Sequence, residues 1–243
     1  MTRKRVLKVF TVLLAVCAGL MMCFSSAEGQ PTPVPDVAQR PNVSLIEDAY
    51  FPSYEQRQSR GSAVKIAGVD GNSHGSGTYI KINGSYAVIT ARHVVDGADI
   101  FRVGSETETV IGQVIWKSQQ YDIAVLKIPE MITRSHITLT KQNPLQIGEP
   151  VLYTGYPASY KLLTSRGYVS GHEPGYRATL LQGFVWFGYS GSGVFDAEGR
   201  LRAIVVAIGV QNFAGGVEPL ESLVYVHEIT KEQLKEIKKA FSN

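Results

Sequence analysis

Beyond residue 27 the sequence contains no cysteine, because Cys17 and Cys23 both fall in the N-terminal segment. The remainder can form no disulfide, offer no thiolate to a metal and supply no cysteine nucleophile, so its stability has to come from packing. Long apolar runs are equally scarce. The one present, Val9 to Phe24, follows Arg3, Lys4, Arg5 and Lys8 and precedes Ser25-Ser26-Ala27, which is the order of an export signal. At 16 residues it falls short of the roughly 20 that span a hydrocarbon core, although Val6 and Leu7 lengthen it if Lys8 snorkels. Cleavage after Ala27 is favoured, and the alternative is a membrane tether through residues 6–24. Either way the rest of the chain is expected outside the cytoplasm, secreted, periplasmic or membrane-anchored.

A surplus of one charge is also missing. The whole chain carries +3, but four of its 24 basic residues and none of its 21 acidic ones lie in residues 1–27. A near-neutral remainder without a basic run gives no support to nucleic-acid binding. Residues 28–57 hold Pro31, Pro33, Pro35, Pro41 and Pro52 and few apolar positions in any period, so they read as a linker, with Tyr54 in a strand lead-in. The folded domain is expected over 58–243.

From about Ser62 the pattern changes to short β-rich runs bounded by turn residues. Examples are Ala63 to Ala67, Gly77 to Ile82, Tyr86 to Thr90, Ile123 to Ile128, Pro150 to Tyr153 and Leu201 to Val206. Asn83-Gly84 between two of these runs predicts a tight hairpin, since both residue types tolerate positive φ. Spacing this regular predicts an all-β sandwich or barrel. Only the C-terminus departs from it: Leu234, Ile237 and Phe241 share one helical face, with Thr230 placed to cap.

Three separated motifs carry chemistry. Gly188-Tyr189-Ser190-Gly191-Ser192-Gly193 lies between apolar strands, and such glycine density implies a tight loop that exposes its backbone. A serine at its centre can present Oγ beside N–H groups able to stabilise an oxyanion. Val88 to Val95 ends a strong strand with His93, whose imidazole can take and return a proton near neutrality. In Tyr121-Asp122-Ile123 an acid directly precedes a buried-looking strand, where an ionised carboxylate needs a partner and an imidazole would supply one.

With their order His, Asp, Ser, these motifs resemble the trypsin-like, chymotrypsin-fold serine proteases, and specifically the disulfide-free bacterial branch with HtrA-type and V8-type enzymes. Gly75-Ser76-Gly77, read as a turn, Gly148 to Val151, Gly155-Tyr156-Pro157, Arg166 to Gly171 and the strand Leu201 to Gly209 agree with that branch. The similarity covers about Ser62 to Ile229, and no PDZ module follows it. The resemblance implies two packed antiparallel six-stranded β-barrels with a C-terminal α-helix. It also implies Ser190 as nucleophile, His93 as general base and later acid, and Asp122 as the group that orients the imidazole. The N–H groups of Gly188 and Ser190 would form the oxyanion hole, and the reaction would be hydrolysis of protein or peptide substrates through an acyl-enzyme, without cofactor.

Two departures stand out. Ser190 is followed by Gly191-Ser192-Gly193, closer to the V8-type pattern, and bulky Tyr189 replaces a small polar residue, where it could alter the loop. By the family's pattern, residues 183–187, including Phe184 and Val185, form one side of the substrate pocket. No acid is present there, so an apolar preference is expected, with ordinary core as the competing reading. His74, His136, His172 and His227 have no metal-ligand spacing, so no metal is expected. Asp96 and Asp196 read as turn residues. The alternative to an active protease is a catalytically silent member that binds peptides, or a membrane-held regulator that cleaves one partner. Oligomeric state is not legible.

Overall fold

The computed structural model describes residues 52–242 apart from 70, 72, 73, 159, 214 and 215. The expected export segment and residues 28–51 of the linker lie outside the described residues. Thirteen strands and two helices are described, in the order α1 (Tyr54–Ser62), β1 (Ala63–Gly68), β2 (His74–Ile82), β3 (Ser85–Thr90), β4 (Ile100–Gly104), β5 (Thr109–Lys117), β6 (Ala124–Lys127), β7 (Ile137–Thr138), β8 (Pro150–Gly155), β9 (Leu163–Glu173), β10 (Ala178–Gly183), β11 (Gly193–Phe195), β12 (Leu201–Phe213), β13 (Gly216–Glu228) and α2 (Lys231–Ala240). Strands β1-β4-β5-β6-β3-β2 close on themselves through the β1–β2 pairing, with the short β7 added in parallel to β2. Strands β10-β13-β12-β11-β8-β9 form a second closed barrel. The expected pair of six-stranded antiparallel barrels is therefore present.

Alternation along each strand explains why the barrels pack together. In β3 Val88 points into the first barrel while Ile89 joins a different cluster, and in β8 Val151 and Tyr153 line the second barrel while Leu152 faces out. The outward residues Ile80, Ile89 and Val125 of one barrel meet Leu152, Phe195 and Ile204 of the other in a shared apolar seam. Both faces of these strands leave water, which is why their runs read as continuously apolar.

Asn83 (φ 48°) and Gly84 (φ 80°) form the expected two-residue hairpin between paired Ile82 and Ser85. Two sequence readings change. Tyr54 stands in helix α1 and not in a strand lead-in; the Gln56 side chain accepts the Ser53 N–H at 2.9 Å, and the helix docks on β8 through Ser59 Oγ to Thr154 Oγ1 at 2.7 Å. Gly75-Ser76-Gly77 is strand and not turn, since β2 already begins at His74. Glycine serves there for close approach: a Cβ on Gly77 would lie 2.4 Å from a Val88 methyl and 2.9 Å from Ile66 Cδ1.

Each helix crosses to the barrel that is not its sequence neighbour. Helix α1 enters the first barrel but packs on β8 of the second. Helix α2 leaves the second barrel and buries Leu234 and Ile237 in the seam cluster, with Asn83 Nδ2 of the first barrel donating to the Lys238 carbonyl at 3.1 Å. Thr230 caps it by accepting the Gln233 N–H at 3.2 Å.

The β11–β12 turn is held by a buried charge cluster. Asp196, 1% exposed, accepts from the N–H groups of Glu198 and Arg200 and from both the Arg200 and Arg202 guanidinium groups; Arg202, 5% exposed, also binds Glu149 at 2.7 Å. Burial works to raise the Asp196 carboxyl's pKa, but the Arg200 N–H and the two guanidinium groups hold it below the ordinary value. Its contribution to stability is thus present above the unfolded carboxylate pKa and lost as pH falls through the lowered one. Breaking such a cluster from one side leaves an uncompensated buried charge. Arg202→Met is expected to lower the unfolding free energy by roughly 3–5 kcal/mol at neutral pH, measured by urea denaturation.

Candidate active site

His93 owes its place to where β3 stops. The strand ends with Thr90, and Ala91 leads into a single 3₁₀ turn, Arg92–Val95, that carries the imidazole. Thr90 pairs with Ala124 across β3 and β6, so in an antiparallel register the residues just past Thr90 lie beside those just before Ala124. That register brings Asp122 to His93. The carboxylate accepts twice: Oδ1 from the His93 backbone N–H at 2.8 Å and Oδ2 from the ring Nδ1 at 2.6 Å. With Nδ1 donating, Nε2 is the nitrogen free to accept a proton.

Burial works to lower the pKa of His93, but the facing Asp122 charge and hydrogen bond outweigh it and raise the value above the ordinary one. For Asp122 burial acts upward and is likewise outweighed, by the His93 charge and by the bonds it accepts, so the carboxyl sits below its usual range. Each group favours the charged form of the other.

A group outside the predicted set completes this corner. His227, 3% exposed on β13 of the second barrel, accepts the Asp122 backbone N–H on Nδ1 at 2.8 Å, and its ring meets Tyr121 edge-on at 5.5 Å between centroids. Burial lowers its pKa against the opposing pull of Asp122. It is a neutral imidazole with the proton on Nε2. The sequence placed His227 in the last strand; only the fold brings it to Asp122, 105 positions away.

Ser190 lies in the turn between β10 and β11. Its backbone meets the first barrel at β2: Ser76 N–H donates to the Ser190 carbonyl at 2.8 Å. A Cβ on Gly75 would lie 2.7 and 2.8 Å from the Val94 methyls and 3.0 Å from the Ser190 carbonyl oxygen, so the residue after His93 and the serine's own backbone pack on one glycine. On the other side of Ser190, a Cβ on Gly191 would reach Thr90 Oγ1 at 2.1 Å. The flanks of the histidine and the serine are thus in contact. The Ser190 hydroxyl itself hydrogen-bonds no other described residue, the imidazole included.

The carbonyls from Phe187 to Ser190 are each engaged, as is that of Phe184. Phe184 O accepts from the Tyr153 hydroxyl at 2.5 Å, Phe187 O from Ala158 N–H at 2.7 Å, Gly188 O from Ser76 Oγ at 2.7 Å, and Tyr189 O from Ser192 N–H at 2.9 Å. The N–H groups of Gly188 and Ser190, by contrast, donate to no other described residue. Gly188 adopts φ 97°, and a Cβ there would lie 2.5 Å from the Tyr156 carbonyl oxygen and 2.8 Å from His74 Nε2. Only glycine meets both conditions.

Tyr189 does not reach into the cleft. At 1% exposed it fills the second barrel, edge-on to Tyr153, with its hydroxyl 2.9 Å from Ser165 Oγ. Phe184 is 49% exposed, whereas Val185 belongs to the second barrel's apolar interior.

Comparison with known proteins identifies the family and agrees with the fold. Residues 75–204 match the family described as "Trypsin-like peptidase domain". A "Serine protease HtrA-like" protein of Staphylococcus aureus strain USA300 is 26% identical over an alignment of 197 residues that covers 73% of this chain. The chain spans about a quarter, 25%, of that relative's length. Among solved structures, the inactive form of a mutant of Rv3671c from Mycobacterium tuberculosis H37Rv superposes with a TM-score of 0.60 at 18% identity, covering 88% of this chain and 97% of that one. The serine endoprotease from Yersinia pestis gives 0.59 at 18% identity, over 80% of this chain and 69% of that one. The family match extends from the glycine that packs against Ser190 through the strand that follows the serine loop, more than half of the sequence, and the chain belongs to the trypsin-like peptidase domain family.

Proposed function

We propose that this chain is a serine endopeptidase that hydrolyses peptide bonds of protein substrates through an acyl-enzyme. The observation that carries this reading is the polarity of the serine loop: its carbonyls are tied back while two N–H groups beside Ser190 are left without acceptors.

The steps follow from the groups present. Nε2 of His93 takes the Ser190 Oγ proton as Oγ bonds to the substrate carbonyl carbon, and the oxygen that becomes negative is received by the N–H groups of Gly188 and Ser190. Asp122 holds the Nδ1–H tautomer and supports the imidazolium. Collapse of the tetrahedral species breaks the C–N bond, and Nε2–H passes its proton to the leaving amine. Water, deprotonated by the same nitrogen, then attacks the ester and restores Ser190. The absent Ser190–His93 hydrogen bond does not oppose this, since such bonds are often long in the empty enzyme and tighten with substrate.

For specificity we assign the wall of the substrate pocket to residues 183–187, including Phe184 and Val185, which contain no acid to pair with a basic substrate side chain. An apolar preference follows. The basic, apolar and small-residue order of residues 1–27 supports a location outside the cytoplasm, with the segment either removed or kept as a tether through residues 6–24. No helix among the described residues is long and apolar enough to cross a membrane.

The unbonded Ser190 hydroxyl favours one competing reading, a silent peptide-binding member. A fluorophosphonate probe separates the two: covalent labelling of the purified protein, abolished by Ser190→Ala, is expected for the enzyme, and labelling that survives this substitution would remove Ser190 from the mechanism. The pH profile supplies a second check. Because His93 must be unprotonated to act and its pKa is raised, kcat/KM should rise with pH to a plateau through a midpoint above the ordinary value of about 6.5. Asp122→Asn should move that midpoint down and lower kcat on the order of 10,000-fold.

His227 gives a third prediction. Its folded pKa is lowered, so the unfolded chain binds more protons between that value and the unfolded one near 6.5, and stability there rises with pH. His227→Phe keeps the ring but leaves the Asp122 N–H without its acceptor, an expected loss of roughly 1–3 kcal/mol. Chemical denaturation of variant and wild type across that pH range should show the loss and the disappearance of His227's share of the slope.

A further inference from the structure

Four successive peptide units, from Phe187–Gly188 to Ser190–Gly191, determine where the two orphaned N–H groups point. In a trans peptide the C=O and N–H are opposed, so holding the carbonyl aims the amide. The Phe187 and Tyr189 carbonyls, held by Ala158 N–H and Ser192 N–H, aim the amides of Gly188 and Ser190 directly. The intervening carbonyls, Gly188 and Ser190, are both held by one residue: Ser76 donates its hydroxyl to the first at 2.7 Å and its backbone N–H to the second at 2.8 Å.

Ser76 reaches a third unit through the neighbouring loop. Its Oγ accepts the Tyr156 N–H at 2.9 Å, two residues before the Ala158 that holds Phe187, and its carbonyl accepts from Thr90 Oγ1 at 2.7 Å next to the His93 turn. One fully buried residue of the first barrel thereby joins the serine loop and the 156–158 segment through its side chain, and the strand that leads to the histidine through its backbone carbonyl. The loop needs an external hold because Gly188 and Gly191 sit at φ 97° and 90°, where glycine gives the backbone little preference of its own.

We infer that Ser76 is a positioning residue of the oxyanion site, carried by the first barrel and acting on amides that belong to the second. This rests on the serine-peptidase reading for its kinetic consequence but not for its structural one. Ser76→Ala removes the hydroxyl that bonds both Gly188 and Tyr156 while leaving the backbone N–H. Loss of a whole oxyanion donor costs about 100- to 1000-fold in rate, and a misdirected pair of amides should cost a fraction of that, on the order of 10- to 100-fold in kcat. KM should change little, affinity for a peptide boronate should weaken in parallel with kcat, and Ser76→Cys, with a weaker donor, should fall between serine and alanine. Ser59→Ala serves as the matched control: it removes another buried hydroxyl bonded between elements, Ser59 to Thr154, and should reduce stability without altering kcat.

Amide hydrogen exchange supplies the readout that needs no activity. Exchange at Tyr189, Gly191 and Ser192, whose N–H groups are bonded inside or beside the loop, should accelerate in Ser76→Ala and not in Ser59→Ala. Accelerated exchange in Ser76→Ala alone, with a wild type that turns over no substrate, would keep the inference and discard the peptidase reading. An active wild type whose Ser76→Ala variant matches Ser59→Ala in kcat and in exchange would overturn the inference and leave the peptidase standing.

Discussion

The seam between the barrels is the constraint on which the site depends. Neither barrel holds all three proposed catalytic groups: His93 and Asp122 come from the first, Ser190 from the second, and the two are joined where β2 lies against the serine loop. The seam is apolar through most of its area, with Ile89, Val125, Leu152, Phe195 and Ile204 burying one another. At its end it becomes polar, and there Ser76 bonds Gly188 and Ser190, and His227 bonds Asp122. Burial of apolar surface supplies undirected attraction, while those bonds supply register. A displaced seam would leave buried N–H and C=O groups without partners, which is costly for each group.

The two helices reinforce this arrangement from outside. Each follows or precedes one barrel in sequence and packs on the other, so neither barrel can move away without disturbing a helix. This substitutes for the covalent bridges that a chain without cysteine beyond residue 23 cannot make. The cluster of Asp196, Arg200, Arg202 and Glu149 does similar work within the second barrel, where it fixes the turn after β11, the strand that follows the serine loop directly.

What was legible in the sequence was whatever is encoded locally. Asn83-Gly84 requires positive φ at two adjacent residues and so announces its hairpin, and the Thr230–Gln233 cap with Leu234 and Ile237 on one face announces helix α2. The His93, Asp122 and Ser190 motifs could be singled out because each adjoins an apolar run: His93 follows one, Asp122 precedes one, and Ser190 sits in a glycine-dense loop between two. Helix α1 escaped notice because the residues it buries are Ser59 and Ser62, which leave no apolar stripe for periodicity to detect. The start of β2 escaped because Gly75 and Gly77 look like a turn, while their task is to let Val94, Val88 and Ile66 approach the backbone.

Ser76, His227 and Tyr189 show a different kind of illegibility. Their roles are settled by partners 112, 105 and 24 positions away, and no local pattern distinguishes a serine in a glycine-rich strand from a serine in a turn. Tyr189 is the instructive case. Beside a nucleophile a bulky side chain looks like an obstruction, yet after the positive φ of Gly188 it points inward, where it meets Tyr153 and Ser165. Its bulk then fixes the loop from beneath while Ser76 fixes it from across the seam. The loop is gripped on two sides by buried hydroxyls, and the backbone between them is left with two N–H groups facing neither grip. A flexible glycine sequence is made rigid by its surroundings, so the geometry of these amides is a property of the assembled pair of barrels and not of the loop alone.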